Sequence, residues 1–353
     1  MSRPTGFPYG VASYGVPMLP GPGVAPTGQF PSAAAQMNGY VGVQFVSASK
    51  GSDSYDGLSP RYPLKNLDTA FYRCAGGQNE IIYVLGGSSA VSFSTGNSWS
   101  PTSGSTGLLW NLSETHLIGL AAPGSSGQRA RITNGLTTNL FTPLITVSGS
   151  GCYFQNVEIF NGGADASKAA VALSVTGSYN VFENCQISGG GHATAAADNS
   201  CRSLVITGTG TGGGGENTFR DCYIGLTTVK RGGTSTEIEL KTNTPRNWFE
   251  RCTFATAASV TTVALVTIGA GGIQDFVVFR DTLWLNPGTS QGGSICAQAL
   301  AVTTAPGGVI MLHNCLSGGA SVSFTKFQTT ANADVFGDNP GSAASTYGVA
   351  ATS

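Results

Sequence analysis

The sequence predicts an all-β solenoid, a parallel β-helix, and three observations predict it. Of 353 residues, 51 are Gly and only 10% are charged, yet 41% are hydrophobic. Disordered chains are poor in apolar residues and rich in charge, so this chain can bury a core. Short runs rich in Val, Ile and Thr are separated by Gly-, Ser- and Asn-rich turns, the pattern of short strands. The third observation is an internal repeat of roughly 30 residues, the period of stacked repeat architectures.

The repeated unit is an aromatic residue, two polar residues, a small residue, one further residue and an apolar one. It runs as YFQNVEI (Tyr153–Ile159), VFENCQI (Val181–Ile187), TFRDCYI (Thr218–Ile224), WFERCTF (Trp248–Phe254) and VFRDTLW (Val278–Trp284), with a weaker MLHNCLS (Met311–Ser317). Its small positions, Val157, Cys185, Cys222, Cys252, Thr282 and Cys315, lie 28, 37, 30, 30 and 33 residues apart. Beside these units run second strands: VALSV, SLVIT, EIELK, ALVTI and QALAV. One repeat cannot bury its inner face alone, but stacking pairs each strand with its equivalents about 4.8 Å away. Equivalent inward residues then form ladders. Phe154, Phe182, Phe219, Phe249 and Phe279 are expected to stack, and the Cys series to form a ladder of small buried side chains. Glu183, Arg220-Asp221, Glu250-Arg251 and Arg280-Asp281 recur just before the small position, and are expected outside, pairing opposite signs between coils.

Residues 1–49 read as an extended Pro/Gly-rich attachment arm. Arg3 is their only charge, and neither helical nor strand periodicity is visible. The arm carries Phe7, Tyr9, Tyr14, Met18, Leu19, Phe30, Met37 and Tyr40. Ordering a residue costs about 1–2 kcal/mol, and burying one large apolar side chain returns about 1.5–3 kcal/mol. These side chains therefore need a preformed surface. Docking on a partner is the expectation, with packing on its own domain or a disordered tail as the alternatives.

The β-helix itself is expected over 50–335. Pro60 and Pro63 introduce a capping helix near 63–75, with Leu64, Leu67, Ala70 and Phe71 on one face. Gly76-Gly77 ends it, and Ile81–Leu85 is a compact strand. A helix across the end of a strand stack covers an otherwise open edge. Residues 336–353 read as a small polar C-terminal tail.

Composition also excludes. The formal net charge is -1 and the sequence pI is about 6.3. The densest basic pair, Lys230-Arg231, has no aromatic company, so no nucleic-acid role is expected. No window approaches 18 uninterrupted apolar residues, and MSRPTGFPYG lacks a secretory signal pattern, so neither a membrane span nor export is expected. The eight cysteines, Cys74, Cys152, Cys185, Cys201, Cys222, Cys252, Cys296 and Cys315, include no CxxC pair. No metal, no cofactor and no disulfide framework is expected.

Catalytic candidates are few. Glycoside hydrolysis needs two carboxyl groups across a groove, and the one close strand pair is Glu237 and Glu239 in TEIELK. Two residues apart, they share a face and are expected to point outward with Lys241, which also fits a plain solvated face. His192, with Asp198 nearby in GGGHATAAADNS, is a weaker acid–base hint, and that stretch reads first as a solvent loop. His116 and His313 are expected at the surface or its boundary. Asp53 and Asp56 in GSDSYDG lack the ligand spacing of a calcium loop, because Tyr55 and Leu64 stand where ligands are needed. GTGTGGGGEN, from Gly208 to Asn217, lacks the Lys-Ser/Thr of a phosphate loop.

The repeat, together with the GSDSYDGLSPRYPLKNLDTAF start, resembles the right-handed parallel β-helix proteins of phage tailspikes, phage fibres and bacterial surfaces. The resemblance covers residues 50 to about 335. It implies a right-handed coil, a place on the exterior of a phage particle and a homotrimer. β-Helices host lyases, hydrolases and inert adhesins alike, so the motif specifies architecture more than activity. The expected role is a virion structural protein, a head decoration protein or head fibre, held on the major capsid protein or another virion protein by the arm. The alternative is a tailspike or tail fibre that binds or cleaves host surface glycan. That reading expects Trp110, Trp248 and Trp284 at the surface and, if the chain is an enzyme, a polysaccharide depolymerase. A bacterial adhesin is disfavoured by the missing export signal.

Overall fold

The computed structural model describes residues 42–94, 105–122, 130–134, 140–165, 170–208, 213–287, 298–302 and 307–319, with short pieces at 12–13, 16–17, 124, 127, 328–329 and 334–337. The chain is a right-handed parallel β-helix of three sheets. The first sheet has ten strands, from Val43–Val46 to Asp334–Gly337; the second has seven, from Arg131–Thr133 to Leu316–Gly319; the third has eight, from Leu108–Trp110 to Gln328–Thr329. Each regular coil visits them in that order, as in Tyr153–Gln155, Glu158–Phe160 and Val171–Val175. Neighbours in all three sheets are parallel and, apart from a bulge between Leu226 and Arg231, in register, with Phe154, Phe182 and Phe219 directly aligned.

The corner between the first and second sheets is one residue in the left-handed region: Asn156 (φ 55), Asn184 (φ 50), Asp221 (φ 53), Arg251 (φ 50), Asp281 (φ 54) and Asn314 (φ 49). This is the second polar residue of the repeated unit. Asn and Asp tolerate that conformation best. Arg251, which does not, is held by a two-pronged ion pair to Asp221, 2.7 Å at each prong.

Inside, the expected ladders form. The Phe rings from Phe154 to Phe279 stack at centroid separations of 4.7, 4.7, 4.9 and 5.0 Å, with planes within 12°. The four Cys of the small ladder are buried, and each thiol donates to the carbonyl of a Phe in the preceding coil. Cys185 reaches Phe154 at 3.4 Å, and Cys222, Cys252 and Cys315 reach Phe182, Phe219 and Phe279 at 3.3 Å each. A further ladder, of buried Asn, closes the corner between the third and first sheets. Asn180 Nδ2 donates to Gly149 O (3.1 Å) and its Oδ1 accepts from Cys152 N (2.8 Å); Asn217 and Asn247 repeat the arrangement. Buried amides so paired avoid the cost of unsatisfied polar groups.

The N-terminal end is closed as expected by a helix, though a shorter one, Leu67–Phe71. Phe71 packs on Trp110 at 4.6 Å, which in turn meets Phe154 at 5.2 Å. Asp53 is a turn residue, its Oδ1 accepting from the amides of Lys65 and Asn66, both at 3.0 Å. Asp56 does the same for Leu58.

Several boundaries and orientations differ from the sequence reading. Val43–Val46, assigned to the arm, is the first strand of the first sheet, because VQFV is too short to show periodicity without its partner Ile81–Val84. Val335 and Phe336 extend the sheet at the other end, pairing Ile310 and Met311. Trp110 and Trp284 are fully buried rather than surface-facing, since both continue the interior aromatic column; Trp248 stays half-buried outside, edge-on to Phe276 at 6.2 Å. Within the arm a two-residue antiparallel pairing joins Ala12–Ser13 to Val16–Pro17. Phe7, Tyr9, Tyr14, Met18, Leu19, Phe30, Met37 and Tyr40 lie outside the described residues, as do Cys296 and residues 209–212 of the Gly208–Asn217 turn.

Candidate functional site

The third sheet carries an open groove of about 500 Å³ on its outward face. Thr142 and Pro143, Ser174, Asn199 and Ser200, Arg202, Glu239 and Lys241 are among the residues lining it. The stacking fixes this set: Ser174, Val205 and Glu239 are in register on consecutive coils. Arg202 Nε donates to Glu239 Oε2 at 3.0 Å, and Arg202 Nη1 to the carbonyls of Asn199 and Cys201, both at 2.8 Å. Glu239 is thus neutralised, and exposed Lys241 adds a cation to a wall of hydroxyls and amides. The arrangement suits hydrogen bonding to a polar ligand with some negative charge.

The structure does not bring Glu237 and Glu239 together in this groove. The alternation argument places both on the outward side correctly, but Glu237 is covered. Gly225 lies over it, so close that an added Cβ would stand 3.1 Å from the Glu237 carboxyl carbon, and the Gly189 and Gly190 carbonyls close over its arginine partner. Glu237 and Arg231 are both 0% exposed. Arg231 Nε and Nη2 donate to the two carboxylate oxygens at 2.9 and 3.1 Å. Nη2 also donates to Gly189 O (2.6 Å), and Nη1 to Gly190 O (3.0 Å) and Cys201 Sγ (3.0 Å). Ser203 Oγ donates to Glu237 Oε2 at 2.6 Å. This is a sealed knot, and sequence reading missed Arg231 because it counted the residue only as half of a basic pair.

Several other acids of the coils are likewise engaged. Glu250 lies between Arg220 (3.3 Å) and Arg280 (3.2 Å), Glu158 meets Arg131 at 2.6 Å, and Arg246 bridges Glu216 and Asp275. Glu183 takes the Tyr153 hydroxyl. The alternating outer charges expected from the repeat are therefore present. His192 caps the short helix Ala193–Ala196, its Nδ1 accepting from Thr194 N at 3.2 Å, while Asp198 turns to Ser200. The GGGHATAAADNS stretch is thus a folded cover with Ala195 and Ala196 buried, not a solvent loop. His116 is buried, and burial lowers its pKa to about 4. Among the described residues no cluster of three His, Cys, Asp or Glu is placed to hold a metal ion. No helix among them is long and apolar enough to cross a membrane.

No protein-family model matches the chain, and no curated protein matches it in sequence. Solved structures do match in fold. The deglycosylated pectin methylesterase from Aspergillus niger is similar at a TM-score of 0.51 and 14% identity, covering 88% of this chain and 91% of that one. Pectate lyase Pel9A follows at 0.44 and 12%, covering 82% and 79%. ORF18 of Geobacillus virus E2 follows at 0.41 and 11%, covering 88% and 63%. At 14% identity the likeness to the pectin methylesterase is one of architecture, the parallel β-helix.

Proposed function

We propose that this chain is a structural protein on the exterior of a phage particle, a head decoration protein or head fibre, attached to the major capsid protein or another virion protein through its N-terminal arm. The observation that carries the reading is the use of the acids. Glu158, Glu216, Asp221, Glu237, Glu239, Glu250 and Asp275 each meet an arginine, and for most the arginine lies on a neighbouring coil. Charges spent on cohesion make a stiff, nearly neutral rod and, among the described residues, leave no opposed carboxyl pair over a groove. The nearly uncharged arm, with its aromatic anchors, fits attachment to a shell. A homotrimer is part of the proposal on the strength of the resemblance.

The test is co-sedimentation with purified particles, alongside antibody labelling in electron microscopy. The chain lacking residues 1–41 is expected to keep its β-rich circular dichroism and to lose the particle. Continued binding overturns the arm as the attachment. Label on the tail instead of the head favours a second reading, host-glycan adhesion through the third-sheet groove, which Lys241 and the hydroxyl-lined wall support. In that case Lys241→Ala is expected to weaken glycan binding.

A further inference from the structure

One crossing between the second and third sheets is longer than stacking needs. Residues 189–201 separate the strand Gln186–Ser188 from Arg202–Ile206, whereas only residues 259–263 separate Thr253–Ala258 from Ala264–Ile268 two coils on. The excess is the cover that carries the helix Ala193–Ala196, with Ala195 and Ala196 buried. Near its far end Asn199 and Ser200 line the third-sheet groove, beside Arg202, Glu239 and Lys241 of the strands. The cover thus gives one flank of the strand face a wall.

Both ends of the cover meet one guanidinium. Arg231 donates to the carbonyls of Gly189 and Gly190 at the start of the cover, and its Nη1 also donates to Cys201 Sγ at the end. Gly189 N donates to Ser203 Oγ at 3.0 Å, and Ser203 Oγ donates in turn to Glu237, the charge partner of Arg231. Gly190 sits at φ 53, and a Cβ there would run into Arg231 Nη1 and Cys201 Sγ, so the two ends close tightly on the guanidinium. Arg231 is itself fixed to the coil, its carbonyl accepting from Ser259 N at 2.9 Å and Ser259 Oγ at 2.6 Å. At the groove, Asn199 Oδ1 accepts from Thr234 N at 2.9 Å, and the Asn199 carbonyl from Arg202 Nη1 at 2.8 Å.

We propose that the buried Arg231–Glu237 pair is a latch: it holds residues 190–200 as a cover closed at both ends, and so positions Asn199 and Ser200 as a wall of the third-sheet groove. Arg231 and Glu237 are then positioning residues, acting on the groove through the cover. A guanidinium suits this task better than apolar packing. Its donors point in a fixed fork, so it sets the carbonyls of Gly189 and Gly190 and the thiol of Cys201 relative to one another, where apolar side chains only fill the space. Undoing the latch leaves the coil intact, because its strands pair with each other and not through the cover. The inference concerns the groove whether or not a glycan binds there, and it stands apart from the particle reading.

The test is made on the isolated full chain and reads its thiols. Cys201 is buried at the end of the cover, while Cys185, Cys222 and Cys252 are buried inside the coil. Labelling by N-ethylmaleimide is followed residue by residue with peptide mass spectrometry in two variants. Gly190→Ala wedges the cover off the latch without removing a charge, and Arg231→Met with Glu237→Leu removes the latch without stranding one. Both are expected to label Cys201 about tenfold faster than wild type, as a local opening admits reagent, with the three ladder thiols unchanged. Hydrogen exchange at Thr234 N, which Asn199 holds, is expected to rise in the same variants. Wild-type labelling of Cys201 in either variant overturns the latch. Faster labelling of Cys201 together with the ladder thiols also overturns it, because the coil and not the cover has then opened. An exposed Cys201 with unchanged exchange at Thr234 overturns the positioning of the groove wall.

Discussion

Replacing Glu237 by Gln changes little volume and removes one charge from a site that water does not reach. In the native chain all five N–H donors of Arg231 are used: two to Glu237, and the others to Gly189 O, Gly190 O and Cys201 Sγ. Gln offers one acceptor where the carboxylate offers two, and its amide group sets a donor against a donor. It also leaves a buried guanidinium without a counter-charge, which costs about 3–5 kcal/mol. Arg231→Met alone strands the carboxylate and is expected to cost a similar amount. The double variant, Arg231→Met with Glu237→Leu, removes both charges and is expected to lie closer to wild type than either single change. Full recovery is not expected, because Gly189 O, Gly190 O and Ser203 lose partners at about 1–3 kcal/mol each if unsatisfied. Urea unfolding followed by the fluorescence of buried Trp110 and Trp284 reads all three variants. A Glu237→Gln midpoint within about 0.5 kcal/mol of wild type, the scale of an ordinary surface change, refutes the sealed ion pair and returns Glu237 to the outer face.

Two further outcomes follow from the ladders. Phe219→Ala, between Phe182 at 4.7 Å and Phe249 at 4.9 Å, is expected to cost about 3–5 kcal/mol in the same unfolding assay, and a loss below about 1 kcal/mol removes the stack as a source of stability. His116 accepts from Tyr153 N at Nδ1 (3.1 Å) and pairs Asn79 Oδ1 at Nε2 (3.3 Å), so the neutral ring is the one that fits. Its folded pKa of about 4 lies below the unfolded value, so the unfolded chain takes the proton first. Stability is fully present above about pH 6.5 and falls by about 3 kcal/mol as pH drops to about 4. Asp68 and Glu158, whose pKa values burial raises, change stability with the opposite sign. The difference between wild type and His116→Gln isolates the histidine, and parallel pH profiles for the two sink the assignment.

The interior was legible because in-register stacking repeats it. One Phe and one Cys recurring at about 30 residues suffice to specify two ladders. The corner was legible in part: the second polar residue of the unit was visible, but its left-handed conformation was not, since Arg251 stands among the Asn and Asp. Glu237 shows where alternation stops informing. Spacing of two gives the face of a strand, while burial of that face depends on a cover contributed from Gly189–Gly190, some fifty residues earlier in the chain. Arg231 is similar, paired within a bulged strand whose register shifts between Leu226 and Arg231. Trp110 and Trp284 were assigned to the surface because a sugar-binding reading wanted them there. Trp284 stands at the apolar position of the unit, level with Phe254, which already pointed inward, whereas Trp110 lies outside the repeated unit.

The division between inside and outside also locates function. Each interior residue is constrained by equivalents above and below, so those ladders repeat whatever the protein does. The outer rows have no such requirement, and here they still show order: Glu183, Arg220, Glu250 and Arg280 alternate in sign up the stack. That alternation spends charge on lateral cohesion. Two places break it, the apolar start of the first sheet at Phe45, Tyr83 and Ile118 and the Lys241 groove of the third. A rod selected for stiffness alone has no use for either exception. The first lies beside Gly42, at the start of the described β-helix, and the second on the flank, so under the proposed reading attachment and glycan recognition would fall on separate surfaces that substitutions can disable one at a time.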